Sequence, residues 1–149
     1  MRRKDREIVD IEQIEEVIRQ STVCFLALCD EVQPYVIPLS FGYARRVLYF
    51  HSAPEGRKLD LIRRNPRVGF AIATDHEIIR AAKPCNWGLR YRSVTGQGLA
   101  EIVHDSSEKR FALDRIMAHY AAPDGDYEQM VDTCVIRVTI TQMTGKRSG

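Results

Sequence analysis

The sequence lacks the signals that most quickly assign a function. No apolar run approaches the ~20 residues a helical membrane span needs. The opening, Met1-Arg2-Arg3-Lys4-Asp5-Arg6, leads into an acidic amphipathic stretch without an apolar signal region, so the expected setting is cytoplasmic. The four cysteines, Cys24, Cys29, Cys85 and Cys134, include no C-x-x-C pair and read as reduced thiols. The four histidines show neither H-x-H nor H-E-x-x-H spacing, Asp75-His76-Glu77 reads as a polar turn, and no metal site is expected. Charge of one sign is also missing. Lys and Arg outnumber Asp and Glu by only 22 to 20, with no basic stripe interleaved with aromatics, so no nucleic-acid partner is expected. There is no P-loop, and Gly96-Gln97-Gly98 lacks the third glycine of a dinucleotide fingerprint.

What remains is an ordinary globular composition, 44% hydrophobic and 28% charged over 149 residues, enough for one domain with its own core. That domain is expected over 1–149, with 1–9 as an N-terminal tail or arm and 141–149 as a flexible C-terminus. Residues 10–20 read as a helix, with Asp10 as N-cap and Ile11, Ile14, Val17 and Ile18 at helical spacing. Three apolar runs follow, Val23 to Cys29, Tyr35 to Phe41 and Val47 to Phe50. The turn-prone stretches Asp30-Glu31 and Gly42-Tyr43-Ala44-Arg45 separate them, as in an antiparallel meander. The first run is apolar on both alternating faces and is expected to be a central strand.

The stretch Gly56 to Pro66 holds a short helix with Leu59, Leu61 and Ile62 on its apolar face, ended by Asn65-Pro66, and Val68 to Ala73 is a further strand. Residues 75–90 have weak periodicity and read as a long loop. Arg92 to Val103 is a long strand whose Gly96 and Gly98 suggest a bulge or a close backbone approach. Asp105 to Tyr120 is a capped helix with Phe111 and Met117 expected in the core, and Cys134 to Ile140 alternates as a half-exposed final strand. Trp87 and Tyr91 read as core or interface aromatics, and Cys85 carries no assigned chemistry. The helices do not alternate strictly with the strands, so the expected class is α+β, mainly β: a small barrel of six to seven mostly antiparallel strands with about three helices.

One local feature asks for an explanation. Arg57 and Lys58 stand in the first turn of the short helix, where a positive charge meets the positive end of the helix dipole at about 0.3–1 kcal/mol each. Either both are simply exposed, or an anion sits there and turns two penalties into attractions. Gly56, the free N–H groups of a helix start, an arginine, a lysine and the hydroxyl of Ser52 would together make a phosphate cradle.

The strings Pro34-Tyr35-Val36-Ile37-Pro38-Leu39-Ser40-Phe41, Leu48-Tyr49-Phe50-His51-Ser52-Ala53-Pro54-Glu55-Gly56-Arg57-Lys58 and Asn65-Pro66-Arg67-Val68 occur in an order that resembles the pyridoxamine phosphate oxidase-like FMN-binding split barrels. Cys85-Asn86-Trp87-Gly88-Leu89-Arg90-Tyr91-Arg92-Ser93-Val94-Thr95-Gly96-Gln97-Gly98 resembles the nitroimidazole-resistance branch in particular. The resemblance implies a split β-barrel forming a homodimer, with FMN at the subunit interface. By position, Arg57 and Lys58 match the phosphate ligands, and His51 and Ser52 the pair beside the flavin and its tail. Ser93 matches a polar cofactor contact, and Val36, Ile37, Pro38 and Leu39 the strand along the isoalloxazine ring. His51 is the catalytic candidate. The implied activity is electron transfer from reduced FMN to a small acceptor such as a nitro-aromatic. The alternatives are a flavin carrier or redox sensor without turnover, or the same fold holding haem or a deazaflavin. The C-terminal substrate arginines and histidine of true pyridoxamine phosphate oxidases have no counterpart in Thr144-Gly145-Lys146-Arg147-Ser148-Gly149.

Overall fold

The structure, a computed structural model, describes residues 3–30, 33–120 and 133–148. Eight strands and three α-helices follow in chain order: β1 (Glu7–Ile8), α1 (Ile11–Gln20), β2 (Cys24–Cys29), β3 (Pro34–Leu39), β4 (Gly42–Ala44), β5 (Val47–Ser52), α2 (Arg57–Arg64), β6 (Arg67–Ile79), β7 (Gly88–Val103), α3 (Ser106–His119) and β8 (Cys134–Ser148). All strand pairs are antiparallel, in the order β3-β2-β6-β7-β8-β5-β4, with β1 added on β8. β3 and β4 are the two ends of that path, yet only Ser40 and Phe41 join them. Three Cα–Cα steps reach at most about 11 Å, so the sheet must curl until its two edges face each other. This is a split barrel.

The helices form where their caps are. The Asp10 carboxylate accepts the Glu12 N–H at 3.0 Å, and the Asp105 carboxylate accepts the Glu108 N–H at 2.8 Å; each such cap contributes about 1 kcal/mol. α1 turns Ile14, Val17 and Ile18 into a core built around Leu26, Phe41, Leu48, Phe50, Ile72, Val94, Ile136 and Val138. α3 packs Ala112, Leu113 and Ile116 on Tyr49, Val103 and Val135 outside the barrel wall. Phe111 departs from the expected core position. It is 43% exposed, edge-on to Tyr49, with the Arg115 guanidinium over its ring.

Four further expectations are corrected. Residues 75–90 are not a long loop, because β6 and β7 keep pairing outward through Glu77–Arg90, Ile78–Leu89 and Ile79–Gly88. A bulge between Thr74 and Glu77 breaks the alternation that would have revealed the strand. Asp75 sits in it at φ 59°, with its carboxylate held by Arg92. The expected flexible C-terminus is strand. β8 runs to Ser148 between β7 and β1, and Gly145 is wedged against Ile8 and Ile14. Likewise the expected tail 1–9 carries a short 3-10 turn at Lys4–Arg6 and the paired, buried Ile8; residues 1–2 and Gly149 lie outside the described residues. The turn expected over 42–45 is displaced. Gly42–Ala44 is β4, and Arg45 and Arg46 make the hairpin at φ 48° and 66°.

β2 is central, as its two apolar faces imply, but only one face is buried. Leu26 and Leu28 point into the barrel, while Phe25 is 47% exposed on the other side. The register sets Phe25 beside Pro38, Ala71 and, one strand further, Thr95; Ala27 sits beside Val36, Gly69 and then Gln97. This outer face is therefore a smooth, largely small-residue surface with Phe25 and Val36 standing on it. No described helix is long and apolar enough to cross a membrane.

Gly96 lies where Phe70 crosses β7. A Cβ there would stand 2.4 Å from the Gln142 carbonyl oxygen and 2.5 Å from Phe70 Cζ. Gly96→Ala is therefore expected to cost about 2–3 kcal/mol through overpacking, lowering Tm by roughly 5–10 °C in a thermal melt. Gly69→Ala, whose Cβ would meet nothing nearer than 3.7 Å, is the control. It should be neutral or stabilising by up to about 1 kcal/mol.

Candidate functional site

The site residues come from four places: the β3 edge, the end of β5, the start of α2, and β7. β5 alternates, so Leu48, Phe50 and Ser52 point inward while Tyr49 and His51 point outward. The turn Ala53–Glu55 ends at Gly56, whose φ of 130° belongs to the region glycine enters without penalty. That conformation turns the chain into α2. Leu59 and Asp60 donate back to the Gly56 carbonyl, and no side chain caps the helix. The first N–H groups thus remain available at the positive end of the dipole.

Three polar groups meet this corner in different ways. Ser52 is buried, and its Oγ has no hydrogen-bond partner among the described residues; it is opposed to Cys134 in the β5–β8 ladder. A buried hydroxyl without a partner costs about 1–3 kcal/mol, so it is a place where a ligand oxygen would be welcome. Lys58 is half-buried, and burial lowers its pKa from the ordinary lysine value, with Cys134 acting weakly against that. It forms no ion pair among the described residues.

Arg57 is different. Its Nη2 donates to Asp30 Oδ2 at 3.1 Å, and its guanidinium carbon lies 4.7 Å from the Tyr35 ring centroid. Arg57 thus already has a carboxylate partner within the chain. Neither Asp30 nor Tyr35 stood out in the sequence. Asp30 read only as a turn residue, 27 positions from Arg57, whereas Tyr35 lies inside one of the family-like strings.

His51 is exposed on the outer face, and Ser40 Oγ lies 3.2 Å from its Nε2. The contact ties the end of β5 to the residue just after β3, across the split. Val36 and Pro38 face outward along β3, whose far side has no strand partner, while Ile37 and Leu39 lean on the core. Arg57 thus meets the Tyr35 end of β3, while His51 meets its Ser40 end, five residues further along; Ser52 and Lys58 follow them in the chain. Ser93 does not join Arg57. It pairs with Ala73 on β6, five residues further along the ladder than Val68, which lies opposite Leu28 near the corner. At about 3.3 Å per residue that is roughly 17 Å along the sheet. A cavity of about 510 Å³ lies at the β6 bulge instead, where Arg90 pairs with Glu77 at 2.7 Å and Arg92 with Asp75, while Arg147 forms no ion pair among the described residues.

The family model for pyridoxamine 5'-phosphate oxidase matches residues 10–147. The chain belongs to this family. Its relation to the nitroimidazole-resistance branch rests on a candidate 5-nitroimidazole antibiotic resistance protein from Bacteroides thetaiotaomicron. That crystal structure is 36% identical, covers 95% of this chain and 86% of that one, and superposes at a TM-score of 0.84. A FAD- and haem-binding protein from Mycobacterium smegmatis shares the fold at 17% identity, covering 96% of this chain and 73% of that one, with a TM-score of 0.80. An uncharacterised protein from Rhizobium meliloti (strain 1021) is 33% identical over 66 residues, 44% of this chain and 43% of that protein, less than half its length.

The four thiols divide by burial. Cys134 and Cys24 are buried and Cys29 and Cys85 exposed, and burial pushes the Cys24 thiol up to about 12. Titration with a thiol-specific disulfide reagent at pH 8 should therefore label Cys29 and Cys85 rapidly. Cys24 and Cys134 should react only after denaturant is added; four fast thiols would show that the barrel opens.

Proposed function

We propose that this chain binds FMN and passes electrons from the reduced flavin to a small oxidised acceptor such as a nitro-aromatic. The carrying observation is the buried Ser52 hydroxyl, partnerless among the described residues, beside an uncapped helix start and a desolvated Lys58. A phosphate dianion satisfies all three at once, supplying oxygens to the hydroxyl and the first N–H groups and a counter-charge to the ammonium. Family membership favours the same reading, and a structural neighbour described as binding FAD and haem is compatible with it.

The flavin supplies hydride and single-electron chemistry; the chain's residues bind and orient. Ser52, Lys58 and Arg57 hold the phosphate end. β3 offers the unpaired backbone groups of an edge strand, with Val36 and Pro38 facing the ring and Ile37 and Leu39 anchoring the strand below. His51, oriented by Ser40 through Nε2, keeps Nδ1 open to hold or deliver a proton at the acceptor.

A homodimer completes the proposal. The outer face bearing Phe25, Val36, Ala71 and Thr95 is an apolar surface of the kind that marks an interface. A second copy against it would bring its own Ser93, which stands on the same outer face, toward the first copy's flavin. The absence of the substrate residues of true pyridoxamine phosphate oxidases argues against oxidation of a vitamin B6 phosphate by this chain.

Purified protein should show flavin absorbance or take up FMN on reconstitution, and a colourless protein refractory to FMN would end this reading. Ser52→Ala and Lys58→Met should each weaken FMN binding about tenfold, the scale of one charge-assisted contact. His51→Ala should keep FMN yet slow reoxidation by nitro-aromatics by about 10²-fold, the scale of general-acid catalysis. In sedimentation velocity, dilution to monomer should release FMN; tight binding by the monomer would exclude an interface site.

A further inference from the structure

We propose that Asp30 and Tyr35 are positioning residues for the cofactor phosphate, pinning the Arg57 guanidinium at the start of α2 before the ester arrives. The inference rests on the flavin reading above and concerns the same site. A guanidinium is planar, and two constraints of different kind set its plane here. The Asp30 carboxylate takes Nη2 on one edge at 3.1 Å, and the Tyr35 ring lies under its face with 4.7 Å from Cζ to centroid. That leaves the Nε hydrogen and the Nη1 hydrogens as donors with no partner among the described residues, each able to meet a phosphate oxygen.

Both positioning groups come from one hairpin. Asp30 follows the last residue of β2, and Tyr35 pairs with Leu28 in the β2–β3 ladder and packs against the core. The Asp30 side chain is 24% exposed, whereas Arg57 is 55% exposed. The carboxylate is thus the anchored partner and the arginine the one that would otherwise wander. An exposed pair of this sort adds little to folding. Its effect is on binding, because an arginine already held in place loses less rotamer freedom when it clamps a ligand. Asp30 also carries charge of the wrong sign for a phosphate, so its geometry and its charge act in opposite directions and can be separated by substitution.

The experiment measures dissociation constants for FMN and for riboflavin, which lacks the phosphate, on the full chain. The variants are Asp30→Ala, Asp30→Asn, Tyr35→Leu, Arg57→Ala and the Asp30→Ala/Arg57→Ala double, with circular dichroism to confirm folding. Asp30→Ala should weaken FMN binding about five- to tenfold and leave riboflavin unchanged. Asp30→Asn, which keeps an oxygen acceptor but removes the charge, should bind FMN as tightly as wild type or tighter. Tyr35→Leu should weaken FMN about threefold. In the Arg57→Ala background, Asp30→Ala should cause no further loss, because its effect passes through the arginine. The inference is overturned if Asp30→Ala binds FMN like wild type, if riboflavin weakens equally, or if the Asp30→Ala loss persists without Arg57. Wild-type protein that binds neither flavin would instead bring down the flavin reading together with it, a different and recognisable result.

Discussion

The link Ser40-Phe41 governs the rest of the molecule, because it joins the two ends of a seven-strand path through a span of about 11 Å at most. The link is itself pinned. Phe41 is fully buried, its N–H donates to the Tyr120 hydroxyl at 3.1 Å, and its ring stands 4.3 Å from that of His119. Tyr120 in turn donates to the Thr22 carbonyl and His119 to that of Ser21, both at 2.7 Å. The end of α3 therefore clamps the strap to the junction of α1 and β2. With the edges held together, the end of β5 comes to lie beside the end of β3, and His51 meets Ser40. A longer or looser link would leave the sheet flatter and disperse the residues of the split.

The electrostatics at the start of α2 follow from the same closure. A helix start without a side-chain cap is a concentrated positive field, and Arg57 and Lys58 add to it. The molecule answers the two cations differently. Arg57 reaches across to the β2–β3 hairpin and finds Asp30, so its charge is compensated locally. Lys58 is drawn partly under the surface near Ser52 and Cys134, where desolvation makes its charge costly. The asymmetry divides the corner into an outer, already balanced arm and an inner, uncompensated one. The inner one carries the stronger attraction for an anion.

Much of this architecture was legible in the residues. α1 and α3 announce themselves through Asp10 and Asp105 and through apolar residues at helical spacing. The close approaches at Gly96 and Gly98 follow from glycines inside a strand. The cationic corner at the start of α2 was visible because like charge at a helix start is locally unfavourable and so invites a cause. The outer halves of β6 and β7 were not legible, since their cross-strand partners Glu77 and Arg90 are charged and the bulge at Asp75 breaks the period of two. Nor was the last part of β8. Gln142 and Thr144 face outward, and Gly145 packs on Ile8 and Ile14 through the absence of a side chain, so no apolar alternation marks it. Asp30 was invisible for a different reason. A pairing across 27 positions has no local signature.

β3 is an edge strand that carries Pro34 and Pro38, the latter opposite Phe25. A proline has no amide hydrogen, so a foreign strand laid along this border would find gaps where it needs donors. The apolar plane beside it can therefore meet another copy face to face, while the border resists end-on recruitment into fibrils. Two imino acids thus let the molecule expose an apolar plane beside its sheet edge without that edge becoming a template for aggregation.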